Sequence, residues 1–218
     1  MVEFTLWDIA RNLLLAARWT VVLSLIAFVG GGLVGLALLV ARLSGSRSAI
    51  VAVVGYVQVF QGTPLLMQLF LAYFGLALFG INVSPWWAAG LALTLYTSAY
   101  LAEIWRGSIE AVPYQQWEAS SSLALTPTQQ YAHVILPQAI RISLPPTVGF
   151  LVQLVKNTSI VSVVGFVDLA RAGQLLNNAF FQPFRIFGAV AAIYFLICFP
   201  LSRLSRYLEK VFHAGRRR

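Results

Sequence analysis

The sequence predicts an all-α integral membrane protein with five transmembrane helices, and two observations support this fold class. Hydrophobic residues make up 59% of the 218-residue chain and charged residues only 10%, whereas soluble domains contain about 25% charged residues. The apolar residues stand in long continuous runs and do not alternate with polar ones. Because only helices and closed barrels satisfy the backbone within lipid, such runs favour helices.

A transmembrane helix needs roughly 20 predominantly apolar residues. Five runs meet or approach this length: residues 19–40, 50–79, 85–104, 137–164 and 186–201. The fifth is short, and we expect it to take a turn from either end. The fourth contains Pro145-Pro146, which we expect to break or bend its helix. The segment 3–18 is amphipathic, and we expect it to lie along the outer membrane surface before the first span.

The basic residues predict how these spans are oriented. The net charge is +8, which in a soluble protein would suggest a nucleic-acid partner. Here Arg42 and Arg47 lie between the first two spans, and the basic segment 203–218 follows the fifth. Cytoplasmic segments of membrane proteins are rich in Lys and Arg, so we expect an outer N-terminus and a cytoplasmic C-terminus. No nucleic-acid partner is expected.

The polar segment 107–136, between spans three and four, then lies in the cytoplasm. Residues 113–125 favour a short helix with small side chains, and Thr126 to Gln129 form a capping box that begins a second helix. We expect Pro137 to end that helix. Two short helices on a tight turn form a knob, residues 113–136, that a partner can approach closely. An ordinary amphipathic loop explains the same pattern, so both interpretations stay open.

Polar residues inside the spans are candidates for a substrate path. Lys156 and Asn157 lie in span four, and an ionisable group at mid-membrane usually faces a cavity or a partner. Freed backbone groups there could bind the charged ends of an amino acid. Alternatively, Lys156 extends to the outer membrane surface.

Gln61, Gly62, Thr63 and Pro64 interrupt span two in the same way. They either line a path or form a structural kink, with Thr63 bonding the carbonyl that Pro64 leaves free. Gln58 and Gln68 are equally consistent with hydrogen bonds that hold the helices together.

Four further features give weaker indications of function, and a structural role is favoured for the first two. Glu103 and Arg106 are three residues apart, a spacing that suits a helical ion pair at the end of span three, although Glu103 could also act as a gate. Gly31 and Gly35 form a small-residue face for helix packing. Asp168, Arg171 and Arg185 are expected on the outer side, where a solute-binding protein would dock, and solvated surface is the slightly favoured alternative. The two histidines lack ligand spacing, so no metal site is predicted.

The polar segment resembles the Glu-Ala-Ala…Gly…Ile-x-Leu-Pro signature of the permeases of ATP-binding-cassette (ABC) importers. Glu118, Ala119, Leu136 and Pro137 match that signature at the right distances. Three residues differ from it: Ser120 replaces the second alanine, Ala124 the glycine and Val134 the isoleucine. If the turn at the glycine position needs a left-handed residue, alanine there costs about 1 kcal/mol.

Three more segments resemble the polar-amino-acid branch of these permeases: residues 61–66, 99–106 and 156–160. Gln61 stands where the branch usually has arginine, Asn157 where aspartate is common, and Phe150 where many members have glutamate. The resemblance implies that the last two changes remove negative charge from the membrane cavity. A cationic amino acid is therefore a less favoured substrate.

The resemblance, which covers nearly the whole chain, implies one domain with the fold of a type I ABC importer permease. It implies a permease of the bacterial inner membrane that carries a polar amino acid. The substrate path is expected to include Gln61, Gly62, Thr63, Pro64, Lys156, Asn157, Thr158 and Ser159. Contact with an ATPase is expected at Glu118, Ala119, Ser120, Ala124, Leu136 and Pro137.

Several partners follow from the same resemblance: cytoplasmic ATPase subunits, a second permease that is either a copy or a paralogue, an extracytoplasmic amino-acid-binding protein, and membrane lipid. The chain lacks a Gly-x-x-x-x-Gly-Lys-Ser/Thr segment, so ATP is expected to bind the partner ATPase. No catalytic residues and no cofactor are predicted in this chain. The alternative function is a secondary amino acid carrier or a channel subunit that ATP does not drive.

Overall fold

The computed structural model describes residues 6–214, and within that range the protein is built of helices and turns without a strand. The α-helices, in chain order, are α1 (Leu6–Leu43), α2 (Arg47–Gly62), α3 (Leu65–Phe70), α4 (Leu76–Leu78), α5 (Pro85–Glu110), α6 (Tyr114–Ser122), α7 (Pro127–Gln129), α8 (Leu136–Asn157), α9 (Leu169–Phe180) and α10 (Pro183–Ala214). Two π-helical stretches, Leu71–Gly75 and Gln130–Ile135, and a 3-10 stretch, Thr158–Val164, join neighbouring helices. The prediction of an all-helical fold is confirmed.

Helix α1 shows that the prediction of a separate interfacial segment over residues 3–18 is wrong for the part described. Residues 6–18 continue without a break into the first span, and α1 is 38 residues long. Their apolar face packs on α9 and α10 through Leu13, Ala17 and Leu169. The amphipathic pattern therefore reflects burial against neighbouring helices. Residues 3–5 lie outside the described range.

Three stretches are long and apolar enough to cross a membrane: Trp7–Leu43, Pro127–Val164 and Pro183–Phe212. A fourth is present if α2 and the arm Leu65–Leu78 are counted as one broken span. The third predicted span, residues 85–104, lies in α5, which has sufficient length at 26 residues but is not apolar enough to be counted with them. Its buried positions include alanine, serine and threonine, because the other helices surround it and exclude lipid from that face.

Helix α8 corrects two expectations about proline. Pro137 does not end the second knob helix, because a single helical stretch runs from Pro127 to Val164. The intervening π-helical stretch Gln130–Ile135 changes the register of the backbone hydrogen bonds just before Pro137. The side-chain amide of Gln138 also donates to the Val134 carbonyl at 2.8 Å. Pro145-Pro146 likewise lie inside α8, which stays helical up to Asn157.

Close contact between α1 and α5 forms the centre of the bundle. A Cβ atom added to Gly31 would lie 2.5 Å from the Thr97 Cβ, and one added to Gly35 would lie 2.9 Å from the Ser98 carbonyl oxygen. Neither contact leaves room for a side chain, so the expected packing role of these two glycines is confirmed.

Candidate functional site

The first knob helix forms as its sequence predicts, as α6, whereas the second is α7, which continues through the π-helical stretch into α8. Helix α6 carries Glu118 and Ala119 on its exposed surface, whereas Ser120 is buried. Thr126 caps the second helix: its backbone N–H donates to the Gln129 side chain at 2.9 Å, and the Gln129 N–H donates back to the threonine hydroxyl. The capping box is confirmed.

The turn between the two helices is a Schellman motif centred on Ala124. Its φ angle is +54°, in the left-handed region. The Ala124 N–H donates to the Ser121 carbonyl at 2.9 Å, and the Leu125 N–H donates to the Ser120 carbonyl at 3.3 Å. Glycine usually occupies this position because it lacks a Cβ atom. The geometry therefore places alanine, the replacement for the signature glycine, where a left-handed residue is required.

The base of the knob is packed against the bundle. Trp117 of α6 and Tyr131 of the π-helical stretch meet edge to face, with ring centroids 5.1 Å apart. Both pack on a buried cluster that includes Leu39 of α1, Ile109 of α5 and Ile135. Leu136 and Pro137 follow directly and begin α8. The base of the knob is thus packed against three long helices through buried side chains.

A sharp bend separates α2 from α3 at Gln61 to Pro64, where the direction of the helix changes by 103°. Pro64 has no N–H, and the Gln68 amide donates instead to the Phe60 carbonyl at 2.8 Å. Contrary to expectation, the Thr63 hydroxyl does not bond the carbonyl that Pro64 leaves free but donates to the Val59 carbonyl at 2.7 Å. Residues 61–64 are exposed at this bend, and the Gln61 amide reaches the Ala99 carbonyl of α5 at 3.4 Å.

The end of α8 lies beside that bend. Asn157 shares a small crevice with Leu65, which follows Pro64 directly. Its side-chain oxygen accepts a hydrogen bond from Gln153 at 3.1 Å. Lys156 is exposed, Ser159 is half-buried, and Thr158 is buried. The helix changes to 3-10 geometry after Asn157, so the change in backbone comes here and not at the double proline.

Three aromatic rings stack next to this crevice. Tyr100 and Phe150 lie nearly parallel, with centroids 5.3 Å apart, and Tyr96 stacks on Phe150 and contacts Tyr100 at a tilt of 38°. The Tyr96 side chain also interacts with that of Asn157. Phe150 is buried in the stack, so this wall of the candidate path is aromatic and carries no charge.

A network of charges joins α1 and α5 at the end of the bundle nearest the knob. The Arg106 guanidinium contacts both Glu103 and Glu110, and the Arg42 guanidinium lies 3.5 Å from the other Glu103 oxygen. The predicted Glu103–Arg106 pair is thus present. The sequence assigned Arg42 only to membrane orientation, and its spacing from Glu103 gave no signal of contact.

At the opposite end, Asp168 is fully buried, so its expected exposure to solvent is wrong. Its carboxylate caps α9 by accepting from the Arg171 N–H at 2.9 Å, and the Tyr194 hydroxyl donates to it at 3.4 Å. Burial raises the pKa of the Asp168 carboxyl above its ordinary value. Arg185 is exposed. The sequence signal for the cap was an Asp directly before an amphipathic helix.

Comparison with known proteins identifies the family. Residues 33–213 match the model of the family described as binding-protein-dependent transport system inner membrane component. The chain belongs to this family. It is therefore a multi-pass membrane subunit of an ABC transport system and not an enzyme, as predicted. Membership implies a partner ATPase and a substrate-binding protein.

Named relatives of this family member cover most of its length. The probable glutamine ABC transporter permease protein GlnM of Bacillus subtilis (strain 168) is 37% identical over 88% of each chain. The glutamine transport system permease protein GlnP of Escherichia coli (strain K12) is 32% identical over 94% of each. The L-cystine permease TcyB of Bacillus subtilis (strain 168) is 33% identical over 96% of this chain and 89% of its own.

Solved structures agree with the fold. A crystal structure of an amino acid ABC transporter with histidines matches with a TM-score of 0.88 and 35% identity, over 92% of this chain and 94% of its own. The MetNI methionine ABC transporter matches with a TM-score of 0.66 and 24% identity, over 95% and 99% of the two chains, which bears on the fold alone.

Proposed function

We propose that the chain is the permease subunit of an ATP-driven importer for a polar, uncharged amino acid. It forms half of the translocation path and pairs with a second permease, either a copy of itself or a paralogue. A separate cytoplasmic ATPase binds ATP and holds the knob. An extracytoplasmic amino-acid-binding protein delivers the substrate. Relatives named for glutamine and cystine support a polar amino acid as the substrate class.

The observation that carries this proposal is the exposed face of the knob. Tyr114 and Leu123 are 71% and 74% exposed there, with Glu118 and Ala119 on the same short helix. Large apolar side chains that project from a polar, small-residue surface are suited to burial in a partner's groove. Because the base of the knob packs on α1, α5 and α8, closure of the ATPases around it can rock those helices.

The substrate path runs past the bend of α2 and the end of α8. Gln61, Thr63 and Lys156 are exposed on the isolated chain, within segments that otherwise face apolar surroundings. Polar side chains at that depth are costly against lipid, so this face turns toward water in the path or toward the second permease. The half-buried Asn157 and Ser159 continue it along the 3-10 segment.

The aromatic stack supports an uncharged substrate. A cationic side chain needs a carboxylate partner when it leaves water, and Phe150 and Asn157 supply none. Lys156 is a cation, and in this proposal it attracts the substrate's carboxylate group. Glutamine uptake should therefore exceed arginine uptake.

The proposed orientation places the N-terminus outside and the C-terminus in the cytoplasm. Arg42 and Arg47 then lie on the same side as the knob and the basic end of α10, as the enrichment of Lys and Arg in cytoplasmic segments requires. A cysteine-accessibility scan with a membrane-impermeant thiol reagent tests it. Labelling at position 182 from outside and at position 115 only after permeabilisation is the expected pattern.

Uptake in proteoliposomes tests the function and its alternative. We expect labelled glutamine to accumulate only when the ATPase, ATP and the binding protein are all present. A secondary carrier would accumulate glutamine from a proton gradient alone, without ATPase. The ion pairs of Glu103 with Arg42 and Arg106 argue against that alternative, because a proton relay needs an acid that is free to titrate.

A further inference from the structure

The turn of the knob closes at a conformational cost. Ala124 adopts the left-handed conformation with φ of +54°, which is unfavourable because alanine has the Cβ atom that glycine lacks. The helix before the turn, α6, is only nine residues long, and a helix this short is marginally stable without further contacts. Side-chain contacts around the turn therefore decide how firmly it stays closed.

Gln130 makes such contacts on both sides of Ala124. Its side-chain amide donates to the Leu125 carbonyl at 3.0 Å and to the Ser121 hydroxyl at 3.1 Å. A carbonyl oxygen can only accept, so the amide nitrogen faces Leu125, and its two protons match the two acceptors. Ser121 belongs to the last turn of α6, Leu125 to the linker, and Gln130 begins the π-helical stretch that leads into α8. One side chain thus joins the three parts of the turn.

We call Gln130, with its acceptors Ser121 and Leu125, the strap. Two neighbouring contacts support it. The Ser121 hydroxyl donates in turn to the Trp117 carbonyl at 3.0 Å, and the Trp117 ring packs edge to face on Tyr131, the residue after Gln130. Gln130 is itself half-buried, so its hydrogen bonds are stronger than those of a fully exposed side chain.

We propose that Gln130 is a positioning residue that holds α6 at a fixed angle to the helix entering the membrane, and so compensates for the absence of glycine at Ala124. The inference rests on the proposed function, in which an ATPase holds the knob. Glu118 and Ala119 lie on α6, whereas the chain after Gln130 continues into α8. The ATPase contacts both parts only when the turn is closed, so its apparent affinity falls with the closed fraction.

Hydrogen exchange of the purified full-length protein tests the strap without ATPase or uptake, so this test can fail independently of the proposed function. Gln130→Glu keeps the size of the side chain but removes both N–H donors. The Leu125 amide should then exchange about ten-fold faster, because two neutral hydrogen bonds that hold the turn closed are lost. Gln130→Ala should give the same result, which excludes an effect of the added charge.

Gln116→Ala is the matched control for this measurement. Gln116 is another glutamine of the knob, but its side-chain oxygen accepts from the Gln138 amide at 3.3 Å and does not contact the turn. Its replacement should leave exchange of the Leu125 amide unchanged.

A second-site change tests the link to the ATPase. Gln130→Glu should raise the ATPase concentration needed for half-saturation about three-fold. Adding Ala124→Gly should restore attachment, because glycine favours the closed turn about five-fold. Exchange of the Leu125 amide should return to within about two-fold of the unaltered protein for the same reason. Phe181→Gly also replaces a left-handed residue, but at the end of α9, and should rescue neither.

Three results would overturn the proposal. One is unchanged exchange of the Leu125 amide in both Gln130 variants. Another is equal rescue by Ala124→Gly and Phe181→Gly, which would show that general stability, and not the turn, controls attachment. The third is faster exchange combined with full ATPase attachment, which would leave Gln130 without a positioning role.

Discussion

The knob turn offers the sharpest test of the structure, because Ala124 is a non-glycine residue in the left-handed region with φ of +54°. An L-residue in that conformation costs about 1–2 kcal/mol. Replacing it by glycine removes this cost but adds roughly 0.4–1 kcal/mol of chain entropy to the unfolded state. Ala124→Gly should therefore stabilise the turn by about 1 kcal/mol net, or about five-fold in its closing equilibrium.

Hydrogen exchange of the turn amides measures this equilibrium locally. The amides of residues 124 and 125 donate to Ser121 and Ser120, so both exchange only when the turn opens. In Ala124→Gly we expect about five-fold slower exchange at residue 125. Ala119→Gly, within the right-handed helix α6, is the matched control, and should speed exchange because glycine costs about 1 kcal/mol in a helix interior.

The outcome that refutes this reasoning is equal behaviour of the two glycine variants. If Ala124→Gly also speeds exchange, the turn does not require a left-handed residue. Phe181 offers a second check, because it caps α9 with φ of +52°, and Phe181→Gly should stabilise that helix end in the same direction.

Three further predictions follow from other parts of the molecule. Gly31→Ala should lower the free energy of unfolding by about 1–3 kcal/mol through overpacking. Gly55→Ala adds a methyl group in open space and should raise that free energy slightly. Both changes are measured in a denaturation experiment in which a thiol-reactive dye reports exposure of the single cysteine. Burial raises the pKa of Asp168 above 3.8, so its contribution to stability is complete below about pH 4 and is lost as the pH rises through the raised pKa. Asp168→Asn keeps a capping oxygen and should match the unaltered protein below pH 4 but exceed it in melting temperature near pH 7; equal differences at both pH values would contradict this. Phe150→Glu with Asn157→Asp should raise arginine uptake relative to glutamine about ten-fold or more, since a charge-assisted hydrogen bond contributes about 1.5–3 kcal/mol; an unchanged ratio in competitive uptake would show that these positions do not set substrate charge.

Local signals predicted the parts of the fold that depend on neighbouring residues. Three predicted features each depend on residues no more than four positions apart, and the structure contains all three: the capping box at Thr126, the helical ion pair at Glu103 and the break at Pro64. The small-residue face of Gly31 was also predicted correctly, since its spacing is a property of one helix. The family followed from motif spacing over the whole chain.

Features that depend on tertiary contact could not be predicted. The 103° bend is stabilised by Gln68, which bonds the carbonyl that Pro64 leaves free. Pro137 was expected to end a helix, yet a π-helical stretch lets the chain continue through it. Helix α5 was predicted as a span over residues 85–104, but the burial of its small polar residues depends on the helices packed around it. The burial of Asp168 depends on contacts with α1 and α10.

The site itself was predicted as separate motifs without their geometry. Sequence placed Gln61 and Asn157 in one path, and the structure brings their segments together through the crevice beside Leu65. The aromatic stack on Phe150 was missed, because Tyr96 and Tyr100 are ordinary helix residues until α5 and α8 are packed.

In the proposed function, force from the ATPase enters the membrane through the knob, and one pair of variants measures this coupling. Glu118→Lys combined with Ala119→Leu changes the exposed surface of α6, whereas Leu33→Ala changes an exposed position of α1. ATPase co-purification and ATP-driven glutamine uptake are measured together for each. We expect the knob variant to lose both by ten-fold or more and the α1 variant to retain both. Full attachment and full uptake in the knob variant would contradict it.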